Sequence, residues 1–205
     1  MRKNRQYKGT LFFISREDSG IVYKVVEMMY IDEASCTEKQ GMEEHDMSFE
    51  IDKENMNSEM VLQQAAEIID AEPWYVAAMS NLSALIMASM DRLNWAGFYL
   101  IRGNELVVGP FQGKPACIRI PVGKGVCGTA IAQNAIQVVP DVHLFPGHIA
   151  CDSASESEIV IPIHQGEKIM AVLDIDSVVK NRFSEEDAAM LSELVWLMEQ
   201  KLRWE

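Results

Sequence analysis

Two apolar runs, E-I-V-I-P-I-H at 158–164 and K-I-M-A-V-L-D-I-D at 168–176, flank the turn Gln165-Gly166-Glu167. Short runs rich in β-branched residues and joined by a Gly-containing turn predict a β-hairpin. The second run stays apolar almost to its end and then carries Asp174 and Asp176. Side chains alternate along a strand, so these two carboxylates share one face, opposite Leu173 and Ile175. Glu158 opens the first run on the face opposite Ile159, Ile161 and Ile163. Acids two residues apart on an interior-looking strand repel if buried together, unless a cation or a shared proton meets them. One face of such a sheet is therefore committed to something other than apolar packing.

The rest of the chain supplies walls around this hairpin. Residues 58–70 read as a helix with Ser58 near its cap, and residues 74–91 as a second helix with Met79, Leu82, Ile86, Met90 and Leu93 in a core stripe. The period then changes to two. A strand at 94–101 turns at Gly103-Asn104 into an antiparallel strand at 105–111, and a further strand follows at 116–121. A Gly-rich loop leads into a short helix within 122–134, and a short strand lies at 136–140. A polar loop from Asp141 then carries His143, His148 and Cys151. The last helix is capped by Ser184, has Glu185, Glu186 and Asp187 in its first turn, and presents Leu191, Leu194, Val195, Met198 and Leu202. Helices, about six strands on short turns, then a helix predict an α+β domain: an antiparallel sheet with helices packed on one face. Residues 1–56 are weakly patterned and read as an N-terminal extension free to be mobile, with a hairpin expected in F-F-I-S-R-E-D-S-G-I-V-Y-K-V-V, and 57–205 as the working domain. A translation start near Met47 is a further expectation, which the intact mass of the native protein would test.

Charge and cysteine usage exclude whole classes of function. The net charge is −13, which disfavours a nucleic-acid partner, because phosphate binding needs surplus Lys and Arg. No apolar run approaches the roughly 20 residues that span a bilayer, and Leu11–Ile14 is too short for a signal peptide, so a cytoplasmic protein is expected. The four cysteines, Cys36, Cys117, Cys127 and Cys151, are not paired as C-x-x-C, and in a reducing compartment they are not structural staples.

The remaining candidates are read from strand parity. Trp95, Gly97 and Tyr99 share one face of the first strand of the sheet. Two aromatics and three carboxylates around a reactive thiol describe a pocket for a small, partly apolar, cationic molecule such as an amino acid. Each has a plainer explanation: Trp95 and Tyr99 as core, Glu158 as a strand edge, Asp174 and Asp176 as a solvated strand exit. Only their convergence argues for a site. G-K-G-V-C-G at 123–128 lacks the order of a phosphate loop, and its glycines suit a tight approach to the helix beginning near Cys127. A thiol at a helix N-terminus is expected to have a lowered pKa. His143, His148 and Cys151 are candidate metal ligands, but H-x4-H-x2-C is not the spacing of a closed zinc site, and no metal is expected.

Four blocks in order, N-W-A-G-F-Y-L (94–100), V-V-G-P-F-Q-G-K-P-A-C-I-R-I-P-V-G-K-G-V-C-G-T-A (107–130), D-V-H-L-F-P-G-H-I-A-C-D-S-A-S-E-S-E-I-V-I-P-I (141–163) and V-L-D-I-D-S (172–177), closely resemble the free methionine-(R)-sulfoxide reductases, small GAF-domain enzymes. The likeness covers roughly residues 58–203. It implies a GAF fold and reduction of free L-methionine-(R)-sulfoxide. It implies Cys151 as the attacking cysteine, Cys117 as the resolving one and Cys127 as an alternative partner. It also implies Glu158, Asp174 and Asp176 as substrate-binding carboxylates, Trp95 and Tyr99 as the wall around the S-methyl group, thioredoxin as reductant, and a homodimer. Cys36 has no counterpart in the family, and no organic cofactor is expected. A GAF module that senses a small molecule or an oxidant without turnover is the alternative, because a fold does not by itself carry a function.

Overall fold

A computed structural model of the chain describes residues 10–17, 20–27 and 57–205. It comprises two compact units, Met1–Ser48 and Phe49–Glu205. In the first unit β1 (Thr10–Glu17) pairs antiparallel with β2 (Gly20–Glu27), the hairpin expected in this segment. Cys36, Met47 and Met56 lie outside the described residues.

The second unit is built on a six-stranded antiparallel sheet. Its strands are β3 (Leu93–Arg102), β4 (Glu105–Gly113), β5 (Arg119–Pro121), β6 (Gln137–Val139), β7 (Ser157–Gln165) and β8 (Lys168–Ser177). They lie in the order β5-β4-β3-β8-β7-β6. The hairpin of β7 and β8 is as expected, and β8 also pairs with β3, so the acid-bearing strand is central. Pro162 lies in β7 beyond the last residue paired with β6, Val160 with Gln137. It sits opposite Val172 of β8, on a stretch of β7 whose other side is an open edge, where a proline is tolerated.

Strand parity divides the sheet into two faces with different work. Ala96, Phe98, Ile159, Ile161, Ile163, Ala171, Leu173 and Ile175 pack against the helices α1 (Ser58–Ala71), α2 (Tyr75–Ser89) and α4 (Glu185–Lys201). Each large side chain buried there contributes roughly 1.5–3 kcal/mol, so this layer carries most of the stability. The other face holds Trp95, Tyr99, Val160 and Val172 and is covered by the short helix α3 (Gly125–Gln133). The three longer helices thus sit together as expected, and α3 adds a thin cover opposite them.

Local chemistry corrects some boundaries. The N-cap of α1 is Asn57, whose side chain accepts from Met60 N–H at 2.9 Å, and Ser58 is the first helical residue. The strand expected at 116–121 is regular only over Arg119–Pro121. The segment before it is drawn off the sheet, and Ala116 and Cys117 pack against the second face. Ser184 and Asp187 form a reciprocal capping box at the start of α4.

Candidate active site

The register of the three central strands assembles the acids rung by rung. Glu158, Asp176 and Trp95 occupy one rung, and Val160, Asp174 and Gly97 the next. Asp174 is thus paired across the ladder with a glycine. Gly97 is fixed by its neighbours: a Cβ there would run into Phe111 and come within 2.7 Å of the Trp95 ring. With no side chain in the way, the Trp95 ring lies stacked on Tyr99 at 5.7 Å between centroids and on Phe111 at 5.3 Å. The result is a flat aromatic wall beside the acids.

An open cleft lies over this face. Trp95, Tyr99, Cys127, Cys151, Glu158, Asp174 and Asp176 all line it. Cys117, and His143 of the candidate ligand trio, do not line the cleft. Cys117 is instead joined to Cys151 in a disulfide, with Cα atoms 5.4 Å apart. Tyr99 Oη donates to the Cys117 carbonyl at 3.1 Å, tying the aromatic wall to the cysteine segment.

Burial governs the electrostatics. Glu158 and Asp174 are each 6% exposed. Burial raises the Asp174 carboxyl from 3.8 to about 6. Burial, and then the Asp174 charge, push Glu158 and Asp176 well above the carboxylate range. Asp174 is therefore the first of the three to ionise, and its charge keeps protons on the other two. Two polar atoms in this wall have no partner: Trp95 Nε1, a donor, and Asp174 Oδ1. Buried polar atoms are costly to leave unpaired, so both are handles for a polar ligand.

The expectation for Cys127 is overturned. It does sit in the first turn of α3, but its thiol is pushed well up, not down. Complete burial is the main cause, followed by the charges of Asp174 and Glu158, and its Sγ lies 4.0 Å from Glu158 Oε1. A short helix end cannot outweigh desolvation and two facing acids.

The trio His143, His148 and Cys151 does not converge as a ligand set. His143 Nε2 lies 3.3 Å from Glu156, His148 Nε2 4.0 Å from Glu158, and Cys151 is in the disulfide. Among the described residues, two other groups bring donor atoms within 4.8 Å of one another: Cys127, Glu158 and Asp174, and Asp141, His143 and Glu156. In the second, Lys180 already supplies the cation, 2.7 Å from Asp141 and 3.8 Å from Glu156.

Sequence reasoning missed a polar brace at the mouth. Asn94 is the extra residue of a bulge between the pairs Leu93–Ser177 and Trp95–Asp176. Its Nδ2 donates to Ser155 Oγ at 3.0 Å and to Asp152 at 3.3 Å. Asp152 also accepts from Ala154 N–H at 3.0 Å and pairs with Lys114 at 3.1 Å. Bulges of this kind re-aim side chains beside active sites. Only the adjacency of Asp152 to Cys151 hinted at the brace.

Comparison with known proteins places this architecture. A GAF-domain family model matches residues 54–202. The chain is 53% identical over 135 residues to the free methionine-R-sulfoxide reductase of Escherichia coli, covering 66% of this chain and 82% of the relative. The structure of the Staphylococcus aureus fRMsr in its reduced form superposes with a TM-score of 0.70 at 50% identity, covering 72% of this chain and 96% of that one. The free methionine-R-sulfoxide reductase of Neisseria meningitidis, solved in complex with its substrate, superposes with a TM-score of 0.68 at 42% identity, covering 70% and 87%. A curled antiparallel sheet carrying an acid-lined cleft under a short helix is a GAF domain, and this chain belongs to the GAF-domain family of free methionine-R-sulfoxide reductases.

Proposed function

We propose that residues 57–205 form a catalytic domain that reduces free L-methionine-(R)-sulfoxide to L-methionine, with residues 1–56 as an extension outside it. The observation that carries this reading is Cys151, paired with Cys117 behind it, opening on a cleft lined by three acids with raised pKa. In the reduced enzyme the Cys151 thiolate attacks the sulfoxide sulfur. Asp176 or Glu158 gives a proton to the sulfoxide oxygen, a poor leaving group without one. The oxygen passes to Cys151 as a sulfenic acid, and methionine, two electrons richer, leaves. The Cys117 thiol then condenses with the sulfenic acid, forming the disulfide and releasing water. An external dithiol, thioredoxin in this reading, exchanges with the disulfide and restores both thiols.

Asp174 and the acid not giving its proton hold the substrate ammonium, while Trp95 and Tyr99 pack against the S-methyl group. Peptide-bonded methionine is excluded, because it lacks the ammonium that these buried acids need. Cys127, buried and with its pKa raised, is a poor nucleophile in the resting site and serves as a secondary thiol at most. A homodimer is part of the same reading, tested by sedimentation.

The test is methionine release from each sulfoxide epimer with dithiothreitol as reductant. The wild type is expected to act on the R epimer, and Cys151→Ser to lose turnover. Activity on the S epimer alone, or an unchanged Cys151→Ser rate, would overturn the mechanism. Cys117→Ser should keep a single turnover and lose recycling by thioredoxin.

A further inference from the structure

We infer that Lys114 binds the α-carboxylate of the amino-acid substrate and so sets the preference for a free acid. The inference rests on the proposed reduction of a free amino acid. The inner wall of the cleft, on β3, β7 and β8, carries Trp95, Glu158, Asp174 and Asp176. A zwitterion can leave its ammonium among these acids, but its carboxylate is repelled by them and must find positive charge elsewhere. Among the residues lining the cleft, Lys114 is the single lysine or arginine. The histidine of the lining, His148, is held below its ordinary pKa by burial and stays neutral near pH 7.

Lys114 is also placed to change partners. Its side chain is 69% exposed, and its Nζ lies 3.1 Å and 3.3 Å from the two oxygens of Asp152. An ion pair this exposed is weak and exchanges readily. Asp152 does not depend on it, since the Ala154 N–H at 3.0 Å and Asn94 Nδ2 at 3.3 Å also donate to that carboxylate. A substrate carboxylate arriving at the mouth therefore meets an ammonium that loses little by turning from Asp152. Lys114 lies three residues before Cys117, so the same segment carries both the anchor and one of the paired sulfurs.

The experiment compares L-methionine-(R)-sulfoxide with its α-carboxamide for the wild type, Lys114→Ala and Lys114→Arg. The amide keeps the side chain with its reacting sulfoxide and replaces the anionic carboxylate by a neutral group; assays at mildly acidic pH keep its α-ammonium, more acidic than that of the free acid, protonated. For Lys114→Ala, kcat/KM on the acid is expected to fall about five- to tenfold, through KM with kcat unchanged. The value for the amide should stay the same, and Lys114→Arg should restore the preference for the acid. An equal loss on acid and amide would overturn the inference, because it would mean that Lys114 only steadies the Asp152 turn. An unchanged ratio with full activity would overturn it too. A wild type that turns over neither compound would instead overturn the reductase reading beneath it.

Discussion

Asp174 titrates at about 6 in the folded protein, against 3.8 for an unburied carboxyl, because it is shut away from water. As pH rises, the unfolded chain gives up this proton first. The stability that the group contributes is therefore fully present below 3.8 and is lost as pH rises through about 6. Asp174→Asn removes the group and should raise the free energy of unfolding above the wild type at neutral pH by on the order of 3 kcal/mol. The difference should vanish below pH 3.8, and urea titrations across that range would measure it. Turnover of the variant should be lost in the same samples. Gly97 makes a second prediction at this scale. A methyl group there meets Phe111 and the Trp95 ring, so Gly97→Ala should push the aromatic wall out of place. We expect roughly a hundredfold loss in kcat/KM and a shift in tryptophan emission, since small misplacements around a reacting atom are costly.

Secondary-structure elements divide more cleanly between stability and chemistry. The capping box that starts α4 is remote from the cleft, so Ser184→Ala should cost about 1 kcal/mol in urea unfolding and leave KM unchanged. The sequence made the strand faces plain, because an alternation of two is the same in any register: Asp174 with Asp176, Trp95 with Tyr99, and Glu158 opposite Ile159 could all be assigned. The mouth was not legible in the same way. Asn94 reaches Asp152 and Ser155 only because a bulge displaces it, and a bulge belongs to the pairing of two strands, not to either one. Cys127 was misjudged for a related reason. Its place at a helix start is local information, whereas the acids that face it come from β7 and β8.

At the scale of the whole domain, the Cys117–Cys151 bond closes a loop of 34 residues that includes α3 and β6. Constraining a loop of that length in the unfolded chain stabilises the oxidised protein by about 3–4 kcal/mol in the chain-entropy account. Equilibrium unfolding with and without a reducing agent should separate the two forms by this amount, and Cys117→Ser should behave as the reduced protein in both conditions. The sheet itself has a consequence for how such a chain can change over generations. Each strand lays down apolar and reactive side chains by turns, so deleting or adding one amino acid within β8 would send Leu173 and Ile175 into the cleft and the aspartates into the oily layer beneath the helices. Point replacements along that strand do local damage; a change in its count inverts every position beyond it. Length variation should be harmless only at the hairpin tip around Gly166, where the chain has no face to lose.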